Sequence, residues 1–212
     1  MNKIAKFVLW ASGLLVFFVV AARATVFEAW TIPTDLPWLS ASIAPTLGPG
    51  DTVIMLTKGE PGFGDLVRCR DPDNQGYLVG RVVGLPGDQV KVSGLSLQVN
   101  NTSYNASDAC RDQTTTVVHP DTDMDVDVHC ARVEMGGGWH FRGNLKKRAR
   151  YDDIDEKVGP DHLFLLSDNR DLHEDSRDFG TLERSLCDRR IVLRLWGPGG
   201  WSESDRRADF IR

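Results

Sequence analysis

The chain of 212 residues is 41% hydrophobic and 26% charged, with 20 Gly and 10 Pro. That composition supports one core and excludes a disordered tail, a collagen or a short disulfide miniprotein. Its 25 Lys and Arg against 30 Asp and Glu give a net charge of −5, and no acid precedes Glu28. The body after the N-terminus is therefore the more acidic part, and no nucleic-acid partner is expected, because phosphates demand cationic charge.

Phe7 to Ala22 carries no charge, and with Ile4, Ala5 and a snorkelling Lys6 the apolar stretch covers 19 residues. A bilayer core requires roughly 20. Lys3 and Lys6 before it and Arg23 alone after it place the N-terminus in the cytoplasm. Residues 1–24 are thus read as a transmembrane anchor with the lipid bilayer as partner. The small-x-small triplet Ala22-Arg23-Ala24 leaves a cleaved signal peptide open. Either way the body is exported. Pro33 and Pro37 then forbid a long helix through Thr25–Leu39.

Beyond residue 50 the apolar runs are short, often β-branched, and bounded by Gly, Pro and Asp: 52–56, 65–69, 77–84, 89–92, 97–99, 114–118, 126–130, 162–166 and 191–196. No 3.6-residue period persists past residue 40, so the fold class is mostly β. Residues 93–160 are more polar and are read as an inserted smaller subdomain, between segments 25–92 and 161–212 of the main β domain. Four cysteines suit an oxidising compartment, and no C-x-x-C pair suggests zinc. Cys110–Cys130 is the favoured bridge; Cys69 and Cys187 are read as buried thiols. Asp121, Asp123, Asp125 and Asp127 lack the glycine and glutamate of a calcium loop and read as one wet strand face. The run Lys146-Lys147-Arg148 reads as a solvated face. Neither metal nor organic cofactor is implied.

Three segments stand apart: Ser40-Ala41-Ser42-Ile43-Ala44-Pro45-Thr46-Leu47 ending in Gly50-Asp51; Arg81-Val82-Val83-Gly84-Leu85-Pro86-Gly87-Asp88; and the run from Ser167-Asp168-Asn169-Arg170-Asp171-Leu172-His173 through Asp175-Ser176-Arg177 to Gly180. Alone, each reads as a turn or an ion-paired loop. Together, in this order behind an apolar N-terminus, they resemble the type I signal peptidases. Members of that family typically show S-G-S-M-x-P-T-L-x-x-G-D, K-R-V-V-G-L-P-G-D and G-D-N-R-D-N-S-x-D-S-R-x-x-G.

The resemblance implies a β-rich serine endopeptidase outside the cytoplasm, most simply on the periplasmic side of a bacterial inner membrane. Its substrates would be exported preproteins, with small residues one and three positions before the cut. Ser42 aligns with the nucleophile, and Ser40 with the serine that shares the oxyanion hole with a backbone N–H. Asp168, Arg170, Asp175 and Arg177 match positions expected to form a carboxylate–guanidinium lattice supporting the site.

The departures concern the base. The family's lysine, which works only when kept neutral by burial, aligns with Gly80. The serine that binds that lysine aligns with His173. Ile43, Ser167 and Leu172 also depart from the pattern. Lys58, Lys91, Lys146, Lys147 and Lys157 fall outside the boxes. Two accounts stay open: His173 serves as base, or the chain is an inactive relative that binds exported peptides or assists surface-protein assembly. An unrelated secreted β domain is the third reading.

Overall fold

A computed structural model describes residues 3–72, 76–146 and 153–211, leaving aside the side chains at 9, 19, 20 and 22–25. The chain opens with α1 (Lys3–Val26), 24 residues of helix. Most of its described apolar side chains are exposed, Phe7 at 73% and Trp10 at 75%. Among the described residues no helix is long and apolar enough to cross a membrane. The side chains of Ala22-Arg23-Ala24 lie outside that description.

β1 (Phe27–Thr31) follows directly, then α2 (Pro37–Ser42), β2 (Thr52–Leu56), β3 (Leu66–Arg70) and β4 (Tyr77–Gly84). The middle of the chain supplies β5 (Gln89–Ser93), β6 (Ser96–Val99), β7 (Thr102–Ser103), β8 (Ala106–Val118), β9 (Asp125–Met135), β10 (Gly138–Leu145) and β11 (Ile154–Lys157). β12 (His162–Leu166), α3 (Ser176–Phe179), β13 (Leu182–Glu183), β14 (Arg189–Trp196) and β15 (Asp209–Phe210) complete it. The fold is mostly β, as the short β-branched runs require.

The main sheet runs in the order β1-β2-β14-β3-β4-β12-β13, with β15 against β14. β4 carries an almost unbroken apolar run because it is buried on both faces. Val79 joins a core with Leu39, Ile43, Val53 and Ile191. Leu78 and Val82 join another with Val67, Leu163 and Leu165.

Two smaller sheets come from the middle of the chain, β10-β9-β8 and β11-β5-β6-β7. Val90, Val92, Leu97 and Val99 share a core with Met135, Phe164 and Leu166, which fixes both small sheets to the large one. At the β9–β10 turn, Gly136 has φ +63° and lies against the Phe63 carbonyl, where a Cβ would collide.

Cys110 is bridged to Cys130, and Cys69 is bridged to Cys187. The reading of Cys69 and Cys187 as thiols is corrected: 118 residues separate them, but the sheet brings their Cα atoms to 4.0 Å. The four aspartates also do not share one strand face. β9 begins at Asp125, and Asp123 has φ +52° in the turn before it. Lys147 and Arg148 lie outside the described residues.

Candidate active site

α2 starts on a proline, which lacks only an N–H the first turn would leave unpaired. Leu39, Ile43 and Leu47, four residues apart, face the main core and hold the helix down. Ser42 is 1% exposed, and its hydroxyl donates to the Leu39 carbonyl at 3.0 Å. Ser40, two residues earlier and so on another side of the helix, has a solvent-excluded hydroxyl without a partner among the described residues.

The third segment closes onto this helix. Asn169 donates its backbone N–H to the Ser42 carbonyl at 2.9 Å and its side-chain amide to the Ala41 carbonyl at 3.0 Å. Its side-chain oxygen accepts from the N–H groups of Asp171 and Leu172. The Asp171 carboxylate accepts from Leu145 N–H, and Gly143 exchanges backbone bonds with Asp168 and Arg170. One asparagine thus sets the turn and ties it to the serine helix.

The second segment joins through Arg81. Its guanidinium reaches both Asp168 oxygens, at 2.8 and 2.7 Å, and the Gly64 carbonyl. Thr46 donates to the same carboxylate at 2.5 Å. Burial opposes ionisation of Asp168, yet Arg81, with His140 and Thr46, holds its carboxyl below the usual value. Asp168 therefore pairs with Arg81 rather than Arg170.

Asp175 caps α3 and grips Arg177 with both oxygens, at 3.0 and 2.8 Å. Arg177 donates to the Arg170 carbonyl, and Arg170 to the Ser167 carbonyl. Burial, with Arg177 nearby, lowers the Arg170 guanidinium to about 9, which leaves it protonated at neutral pH.

His173 has a side chain only 6% exposed, and its Nδ1 lies 2.8 Å from the Asp178 carboxylate. Asp178 also accepts from Asp175 N–H in the α3 capping box, so it is itself fixed. Gly80 lies one residue from Val79 on β4 and so faces away from the core that holds Leu39 and Ile43. A Cβ there would stand 3.1 Å from Leu165 Cβ and 3.6 Å from the Leu166 carbonyl. Lys58, Lys146 and Lys157 are exposed, and Lys91 pairs with Asp155. None of these offers a buried amine.

Sequence reasoning missed Arg81, Asn169, Asp178 and His140. The first three lie inside the boxes and differ from their neighbours only in what they touch. His140 carries no motif. It is buried beside Thr46 and Phe141, and burial, then Arg81, pushes its imidazole well below 6.5.

The β domain thus brings the three sequence boxes together around one short serine-bearing helix. Residues 4–196 match the family Signal peptidase, peptidase S26, and the chain belongs to that family. It is 28% identical over 183 residues to a Signal peptidase I of Pseudomonas fluorescens, covering 77% of this chain and 59% of that one. The chain thus spans less than two thirds of that relative. It is 24% identical over 196 residues to a Signal peptidase I of Leptolyngbya laminosa, covering 87% and 76% respectively. A crystal structure of a signal peptidase I from Enterococcus faecalis aligns at TM-score 0.37 and 20% identity, over 61% of this chain and 94% of that one.

Proposed function

We propose that the chain is a membrane-anchored serine endopeptidase that removes signal peptides from exported preproteins. Family membership supports the substrate class. The observation that carries the assignment of the site is the pair of Asn169 bonds to the Ala41 and Ser42 carbonyls, which couples the third box to the serine helix. In this reading α1 is the anchor, with residues 7–22 uncharged, and the β domain lies on the extracytoplasmic side.

The chemistry follows the serine acyl-transfer pattern. Ser42 Oγ leaves the Leu39 carbonyl by rotation and attacks the carbonyl carbon of the signal peptide's last residue. His173 takes its proton. The Asp178 carboxylate accepts from Nδ1–H, which directs the lone pair to Nε2. Charge on the substrate oxygen meets the Ser40 hydroxyl and the Ser42 N–H. The imidazolium returns the proton to the leaving amine, and water then hydrolyses the acyl-enzyme by the reverse transfers. Asp168, Arg170, Asp175 and Arg177 keep the box in shape.

Incubation of the full chain in detergent with a preprotein, followed by N-terminal sequencing of the product, tests this. The expected cut follows a small residue with another two positions earlier, since alternate side chains of an extended peptide face the same way. A folded wild type that leaves every preprotein intact contradicts it and favours a binding role.

A further inference from the structure

Gly143 lies on β10 in the inserted part of the chain, yet it meets two of the three boxes. Its N–H donates to the Asp168 carbonyl at 2.8 Å, and its carbonyl accepts from the Arg170 N–H at 2.8 Å. It thus forms a parallel bridge with Asn169, the residue that holds the Ala41 and Ser42 carbonyls. The chain just beyond α2 crowds the same Cα. A Cβ at Gly143 would stand 2.9 Å from the Ala44 carbonyl oxygen and 3.0 Å from Pro45 Cδ. Val128 Cγ1 on the neighbouring β9 would lie at 2.6 Å.

The φ of Gly143 is not positive, so turn geometry does not require glycine there; the close approach does. The crowding atoms differ in how they can yield. Val128 is wholly buried, but its methyl belongs to a side chain that can be shortened. The Ala44 carbonyl is main chain, two residues past Ser42, and in a close-packed interior it moves only with the end of the serine helix. Gly143 therefore stands where the inserted strand, the third box and the turn after α2 come closest together.

We propose that Gly143 is a positioning residue for the reaction: having no side chain, it lets the third box seat against the turn after α2, which fixes where Ser42 sits. This rests on the peptidase reading above and gives the inserted part of the chain a share in placing the nucleophile. A methyl group at 143 pushes the Ala44 carbonyl outward and carries Ser42 away from Asn169. Misplacing a reacting group by roughly 1 Å costs about 10²-fold in rate. Gly143 is buried and makes its contacts within the protein, so the loss falls on kcat rather than on KM.

The full-length chain in detergent, compared as wild type, Gly143→Ala, Val128→Ala and the double variant, tests this. In the double variant the new methyl takes the space the valine leaves, so the urea midpoint should recover most of what Gly143→Ala loses. Its kcat on a preprotein should nevertheless stay about 10²-fold below wild type, with KM within about twofold, because the Ala44 carbonyl is still crowded. Amide exchange at Asn169, relative to that in β4, should be about tenfold faster, reporting the weakened bond to the Ser42 carbonyl. Val128→Ala alone should keep both values. Wild-type kcat in the recovered double variant overturns the proposal, as does a kcat loss already complete in Val128→Ala. An unchanged exchange ratio at Asn169 also overturns it, and that ratio is readable even where stability is not restored. The two measurements separate the readings. A wild type that cleaves nothing removes the peptidase reading, while faster Asn169 exchange in the double variant keeps Gly143 as the residue that seats Ser42.

Discussion

Arg81 and Asp168 meet through two hydrogen bonds of 2.8 and 2.7 Å, with both side chains wholly excluded from water. Two charges in that setting depend on each other, because either one alone would be buried uncompensated. Asp168→Asn or Arg81→Met should each destabilise the fold by about 3–5 kcal/mol, and the double replacement by less than the sum. Urea unfolding of the four proteins measures this. The Asp168 carboxyl titrates below its ordinary 3.8 in the fold. Its stabilising contribution is thus complete above that value and lost as pH falls through the lower folded value.

This pair also shows what sequence can carry. The strands over 52–56, 77–84 and 162–166 were legible as short apolar runs flanked by Gly, Pro or Asp, the first two rich in β-branched residues. β1 and β10 were not: FEAWT and GWHFRGNL mix charge, glycine and aromatics, and their pairing to β2 and β9 overrides propensity. Pro37 reads as a helix breaker, yet it begins α2. The boxes named Ser40, Ser42 and Asp168, but Arg81 as the partner of Asp168, and Asn169 as the tie to α2, depend on which strands lie side by side. The Cys69–Cys187 bridge was hidden for the same reason.

The buried His140 imidazole should make stability pH-dependent. Burial, then the Arg81 charge, holds it neutral well below 6.5. The unfolded chain therefore binds a proton that the fold refuses, and stability falls as pH drops below about 6.5. His140→Leu should flatten that part of the curve in denaturant titrations run across it. A slope unchanged by the substitution would assign it to another group.

The two disulfides should differ in worth. Sequence separations of 118 and 20 residues correspond to loop-closure contributions of about 5 and about 3 kcal/mol. Cys69→Ser with Cys187→Ser should therefore cost more than Cys110→Ser with Cys130→Ser. Unfolding midpoints of the two paired variants, under non-reducing conditions, check the order.

His173 and Gly80 should trade roles in a predictable way. His173→Ala should lower preprotein cleavage about 10²–10⁴-fold, the usual size of a general-base contribution. Asp178→Asn should lower it less, since the imidazole remains. Gly80→Lys needs Leu165 to yield, as its Cβ would stand only 3.1 Å away. Joined with His173→Ser, it should still cleave faster than His173→Ser alone. Equal rates for those two proteins would show that an amine at position 80 does not reach the serine.

The most direct measurement compares preprotein cleavage, in detergent, by wild type, Ser42→Ala and Ser40→Ala. Ser42 is tied to the third box through Asn169, and the Ser40 hydroxyl is solvent-excluded without a partner among the described residues. The account predicts that Ser42→Ala abolishes cleavage, while Ser40→Ala slows it about 10²–10³-fold, as expected for loss of one oxyanion donor. Cleavage by Ser42→Ala at the wild-type rate would contradict it.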